Sequence, residues 1–197
     1  AYMFDTYENG SYIKAVANPN YALEAAKIPN VIFRVIAEDP VAIAALQNGE
    51  VDAWVGLADL LGDLEGFTVT PYSEGRVAYV RLNRVSDNMQ DADYRKGVLK
   101  ALNKEEILTA AYGSLDYATP SYSFLPKTNS NYTEDLEKFE QDLEASKELI
   151  AGGATKLSLC CVAEPAQEAQ AQVIQAQLKE VGIELEIFAL EQGAYME

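Results

Sequence analysis

Apolar and polar positions along this chain alternate at two spacings, and the changes from one to the other mark out its elements. The opening stretch "MFDTYENGSYIKAVANPNY" reads as a hairpin-like pair of strands turning at Asn9-Gly10 and ended by Asn18-Pro19. "VIFRVI" is a further strand. Asp39 then caps a helix with Pro40 at its first position, where the missing N–H costs nothing, and Gly49 supplies the left-handed stop. "EVDAWV" predicts the next strand, "LADLLGDLEG" a short helix, and "FTVTPY" a strand ended by Pro71.

The second part repeats the theme. "RVAYVRLN", residues 76 to 83, predicts a strand with Val77, Tyr79 and Arg81 on one face and Ala78, Val80 and Leu82 on the other, and it connects two halves. "DADYRKGVLKAL" and "NKEEILTAAYG" predict two helices, the second opened by the capping box Asn103-x-x-Glu106 and closed at Gly113. A polar loop carrying Tyr117 and Tyr122 follows, too long for a simple connection, so that something orders it or it covers something. A Glu-rich helix over 134 to 148 is expected to show a solvated face. Strand "KLSLCCV", a helix from Pro165 to Val181 and strand "IELEIFAL" then make a βαβ unit. Short strands alternating with helices place the fold in the α/β class.

Composition removes several functions. A net charge of −16 repels nucleic-acid backbones and anionic membrane surfaces, leaving neither as a partner. No window approaches the ~20 apolar residues of a membrane span. The chain has no histidine, so a Cys/His zinc site, a Ser-His-Asp triad and a Cys-His pair cannot form from it. No phosphate-loop or dinucleotide glycine pattern is present, and no cofactor or metal is expected. Asp87, Asp91 and Asp93 lack the spacing of a calcium loop and suit a helix N-terminus instead. Cys160 and Cys161 fall on opposite faces of one strand and read as free thiols.

One enzymatic pattern deserves weighing. Ser11-x-x-Lys14, Ser86-Asp87-Asn88 and Lys127-Thr128-Asn129 nearly spell the serine β-lactamase and penicillin-binding set, which would make Ser11 an acyl-transfer nucleophile. Ser11 lies in a strand-like stretch instead of opening a helix, and the third motif lacks its glycine. The expectation is a protein that is not an enzyme.

The order of "NPNY", "VIFRVI", "AIAALQNGEVD", "YVRLN", "DADYRKGVLKALNKEEILTAAYG", "KELIAGG" and "AQVIQAQLKEVGIELEI" resembles the dipeptide- and oligopeptide-binding solute receptors of bacterial ABC importers. The resemblance implies a periplasmic-binding-protein-like α/β fold. Residues 1–77 would belong to a first lobe and 78–197 to a second, peptide-binding lobe, with hinge strands near 76–83. It implies a monomer outside the cytoplasmic membrane, periplasmic or lipid-anchored, that encloses a peptide and delivers it to the permease subunits of the transporter. Family chains are usually much longer, with a secretory leader, so the resemblance also implies an internal fragment. The family's acid for the peptide amine sits in an aromatic-cysteine-acid motif that these residues do not contain. Trp54, Val55 and Gly56 would reach the cleft rim, and Tyr72 and Tyr79 are similar to the aromatic positions lining side-chain pockets. Core packing is the competing reading for Trp54 and for Tyr79. Relatives that bind nickel chelates, sugars or haem make a non-peptide solute the alternative ligand.

Overall fold

A computed structural model describes residues 1–56, 64–70, 72 and 75–196, and it divides into two compact units, Ala1–Gly66 and Phe67–Glu197. The first unit opens with an antiparallel sheet of β1 (Tyr2–Glu8), β2 (Tyr12–Ala17) and β3 (Asn30–Arg34), in that spatial order. Gly10, at φ 72°, makes the turn between β1 and β2 as the Asn-Gly pair predicts. The β1–β2 register slips between Phe4 and Thr6, leaving Asp5 as the extra residue, and its carboxylate meets the Lys14 ammonium at 3.0 Å. The hydrogen bond from Lys14 holds the Asp5 carboxyl below its ordinary range.

After this sheet comes α1 (Asp39–Gln47), which buries Ala42, Ile43 and Ala45. Its cap differs from expectation: Glu38 is the N-cap, because its carbonyl accepts the Val41 and Ala42 N–H groups, and Asp39 is already helical. Gly49, at φ 72°, ends the helix as expected.

In the second unit, Asp91 caps α2 (Ala92–Lys100) by accepting the Asp93 N–H at 2.8 Å, so these carboxylates do serve a helix N-terminus. Asn103 caps α3 (Lys104–Tyr112), and Gly113 closes it at φ 71°. Then follow α4 (Leu143–Ile150), β4 (Lys156–Val162), α5 (Pro165–Glu180), β5 (Glu184–Leu190) and a final turn, α6 (Gln192–Tyr195). β4 and β5 pair in parallel from Lys156–Glu184 to Val162–Leu190, which makes the expected βαβ unit. Ile174, Leu178, Ile183 and Leu185 of this unit pack with Tyr94, Val98 and Ala101 to form the core.

Several expected elements do not form. "EVDAWV", the 68–70 part of "FTVTPY" and "RVAYVRLN" carry no ladder among the described residues. Alternation selects the face a strand would show, but the strand itself needs a hydrogen-bonding neighbour. In 76–83 only Val77 and Leu82 are half-buried, so two opposed faces are not developed. The Glu-rich helix begins only at Leu143, where Asp142 caps it by accepting the Ala145 N–H; residues 134–142 are irregular. Most of the helix expected at "LADLLGDLEG" lies outside the described residues.

Two close approaches lock the second unit. The Ser146 hydroxyl, fully buried, donates to the Gly97 carbonyl at 2.8 Å, bringing α2 against α4. The Tyr94 ring lies over Gly153 while its hydroxyl donates to the Ala154 carbonyl at 2.6 Å. A Cβ on Gly97 would meet Ile150 Cγ2 at 2.6 Å and the Ser146 carbonyl oxygen at 3.1 Å. Alanine gains ~1 kcal/mol of helix propensity there, but overpacking costs ~1–3 kcal/mol and the Ser146 backbone cannot withdraw. Gly97→Ala is therefore expected to lower stability, by up to ~2 kcal/mol, in urea unfolding followed by circular dichroism. An unchanged or raised midpoint would mean that α4 shifts freely.

Candidate functional site

The long loop between α3 and α4 is ordered by the first turn of α3. Lys104 donates to the Ser121 carbonyl at 3.1 Å, and its ammonium stands 3.5 Å from the centroid of the Tyr122 ring. Tyr122 donates to Glu140 Oε1 at 2.6 Å, and Lys138 approaches the same ring at 5.4 Å. Burial, joined by the Glu140 carboxylate, pushes the Tyr122 phenol up to about 12. Burial also pushes the Lys104 ammonium down, with Glu140 opposing. Tyr122 is thus half-buried and anchored, whereas Tyr117 is exposed. A cavity of about 90 Å³ lies beside it, lined by Tyr122, Lys127, Tyr132, Leu136 and Lys138.

Of the residues expected to bind ligand, Trp54, Val55 and Gly56 belong to the first unit and Tyr72 and Tyr79 to the second. Trp54 is half-buried, and its indole folds back over Gly56, where a Cβ would overlap the ring. A larger residue at 56 would make the indole shift. Val55 is exposed, as is Tyr72. Tyr79 is exposed too, and its ring stands 5.5 Å from that of Phe124. Phe124 and Lys104 escaped the sequence reading: Phe124 sits in a polar loop without periodicity, and Lys104 looks like any first-turn helix residue. The only available signal was the length of the loop itself.

Of the acyl-transfer pattern, Ser11 and Lys14 fall in the first unit and the other two motifs in the second. Ser11 lies in the β1–β2 turn, donating its N–H to the Glu8 carbonyl at 3.1 Å, while Lys14 is engaged by Asp5. Among the described residues no group of three or more Cys, Asp or Glu is placed to hold a metal ion, and no helix is long and apolar enough to cross a membrane. Cys160 and Cys161 are free; Cys160 is exposed and Cys161 buried. Burial pushes the Cys161 thiol up, with Glu168 and Cys160 adding to the effect.

The profile of the bacterial extracellular solute-binding proteins, family 5, middle region, matches residues 1–196. The ABC transporter substrate-binding protein CtaP of Listeria monocytogenes is 30% identical and superposes with a TM-score of 0.93, over 98% of this chain and 41% of that one. The oligopeptide-binding protein AppA of Bacillus subtilis is 25% identical over 221 residues, covering 100% of this chain and 40% of the relative. NikZ of Campylobacter jejuni, solved with Ni(L-His), is similar in fold alone, at 20% identity and a TM-score of 0.73 over 98% of this chain and 42% of that one. The chain thus spans about two fifths of the length of these relatives.

Two outcomes test the geometry. Replacing Lys104 by Met removes the donor to Ser121 and the cation over Tyr122, contacts worth ~1–2 kcal/mol together. Hydrogen exchange at Ser123 and Leu125 should then speed up about tenfold, whereas unchanged protection would mean that the loop is held elsewhere. A maleimide at pH 8 should label Cys160 in the native protein and Cys161 only after unfolding, because a buried, raised thiol supplies little thiolate. Equal native rates, read by mass spectrometry, would contradict this placement.

Proposed function

This chain belongs to the family 5 bacterial extracellular solute-binding proteins, and from that membership we propose that the whole protein captures extracellular peptides and presents them to an ABC permease. The observation carrying this reading is the family match over residues 1–196, together with the name of the AppA relative, an oligopeptide-binding protein. In this reading the protein is non-catalytic, monomeric and located outside the cytoplasmic membrane. Its two lobes close on the ligand about a hinge near 76–83, and ligand sites belong at such domain interfaces. Trp54, Val55, Gly56, Tyr72 and Tyr79 contribute to the enclosing surface. The exposure of Val55, Tyr72 and Tyr79 suits that role, since large apolar side chains left in water gain most from ligand contact. The Lys14–Asp5 ion pair supports the absence of acyl transfer, because it occupies the amine that would activate Ser11.

A non-peptide solute is the second reading, favoured by the fold likeness to NikZ with its nickel–histidine complex. Calorimetry of the whole protein against pooled di- to pentapeptides, with nickel–histidine in parallel, separates the two. Saturable binding to peptides is expected; binding to the chelate alone would overturn the peptide reading. Trp54→Ala should weaken that binding by ~1–3 kcal/mol, the range for an aromatic contact. Because the indole is only half-buried, the loss of stability should stay below the ~3–5 kcal/mol of a core aromatic truncation. A large loss of stability with unchanged affinity per folded molecule would remove Trp54 from the site.

A further inference from the structure

The chain contains two Asn-Gly pairs, Asn9-Gly10 and Asn48-Gly49, and the fold treats them differently. An asparagine amide before glycine is open to attack by the glycine nitrogen, since no side chain screens that nitrogen and its backbone turns freely. Asn48-Gly49 closes α1. There the Asn48, Gly49 and Glu50 N–H groups donate to the Ala44, Leu46 and Ala45 carbonyls at 2.9, 3.1 and 2.8 Å. The Gly49 nitrogen is thus committed, and freeing it opens the end of the helix. At the tip of the β1–β2 hairpin the Gly10 N–H has no acceptor among the described residues, and the turn is closed by the Ser11 N–H donating to the Glu8 carbonyl at 3.1 Å. A Cβ on either glycine would stand in open space, so hydrogen bonding and not crowding separates the two sites. Asn9 has one further feature: the Tyr7 hydroxyl donates to its Oδ1 at 2.7 Å. Tyr7, Asn9 and Gly10 are all exposed, so water reaches them.

A donor at that oxygen acts where charge develops. When the Gly10 nitrogen adds to Asn9 Cγ, Oδ1 becomes an oxyanion, and a hydroxyl already 2.7 Å away stabilises it. We propose that Asn9-Gly10 is a self-modification site, which deamidates through a cyclic imide with Tyr7 as the oxyanion donor. The Gly10 N–H gives its proton to solvent hydroxide as the N–Cγ bond forms. The Cγ–Nδ2 bond then breaks, and the nitrogen takes a proton from water to leave as ammonia, which regenerates the hydroxide. Water opens the imide at either carbonyl. Opening at Cγ gives aspartate in the original peptide link, whereas opening at the Asn9 backbone carbonyl leaves Gly10 joined through Cγ, as isoaspartate. No electrons change hands, and water is the one co-reactant. Either product sets a carboxylate beside Glu8, and isoaspartate also adds a methylene to the turn that Glu8 and Ser11 close. The inference concerns the hairpin of the first unit and holds for any solute that the protein binds.

The test ages the whole protein that carries this chain at pH 8 and follows both pairs by peptide mapping in the mass spectrometer, with electron-transfer fragmentation to tell aspartate from isoaspartate. In the folded protein Asn9 should convert at least about tenfold faster than Asn48, whose partner nitrogen must first leave its carbonyl. In urea, where neither turn nor helix end persists, the two rates should come within about twofold of each other. Tyr7→Phe keeps the ring and removes the hydroxyl. It should slow Asn9 about threefold to tenfold, the worth of one hydrogen bond, and leave Asn48 unchanged. Tyr7 is exposed, and a thermal melt confirms that the variant folds; the wild-type ratio decides the site whatever the variant does. Equal rates in the folded protein overturn the proposal, as does a difference that persists in full in urea. An Asn9 rate unchanged or raised in Tyr7→Phe overturns the role of the hydroxyl. Aspartate without isoaspartate overturns the cyclic imide, because direct hydrolysis of the side chain gives aspartate alone.

Discussion

The buried amide of Gln177 is the contact on which the second unit depends. Gln177 sits on α5 and is 3% exposed. Its oxygen accepts the Asn103 N–H at 3.0 Å, and its nitrogen donates to Glu106 Oε2 at 2.8 Å and to the Asn103 carbonyl at 3.4 Å. In an ordinary capping box the Asn103 N–H would be satisfied by Glu106 itself. Here Glu106 accepts instead from the Asn103 side-chain amide, at 3.3 Å, and Gln177 takes over the backbone group. A local helix signal has become a tertiary bond, and the corner between α2 and α3 is fixed to the βαβ unit. Leaving such buried groups unpaired costs ~1–3 kcal/mol each.

That corner also organises the surface. Lys104 directly follows Asn103, so the residue that starts α3 is held by α5 while its neighbour holds the loop. From Lys104 the order passes to Ser121 and Tyr122, and from the two serines to the exposed ring of Phe124. The other side of the corner is closed by glycine: Gly97 admits Ser146, and Gly153 admits the Tyr94 ring. Small residues where helices meet and a bound amide where they turn together leave the loop a rigid base.

The first unit is built differently. Every residue of β1 is exposed, and Tyr2, Phe4, Tyr7, Ile32 and Phe33 all leave large apolar area in water. Its order comes from ladder bonds, from the Asn-Gly turn and from the Asp5–Lys14 pair at the bulge, and among its described residues those buried are Ala42, Ile43 and Ala45 of α1 and Leu64. The half-buried indole of Trp54 lies over Gly56 of its own chain.

What the sequence determined by itself was everything set by neighbours in the chain. The Asn9-Gly10 turn, the stops at Gly49 and Gly113, the caps at Asp91 and Asn103, and both strands and the helix of the βαβ unit depend on φ preference, capping chemistry and period, which a short window contains. The helix cap at Glu38 instead of Asp39 was missed because a neighbouring carbonyl, not a side chain, closes that turn. Tertiary structure alone decided the rest. Residues 76–83 alternate like a strand but find no ladder among the described residues, because pairing needs a partner that alternation cannot supply. Glu-rich residues 134–142 stay out of α4, since Glu140 binds Tyr122 and Asp142 becomes the cap. The meeting of Tyr79 with Phe124, and the use of Gln177 and Lys104, join residues far apart in the chain. No local pattern encodes such contacts, because their free energy exists only once the backbone has brought both groups within reach.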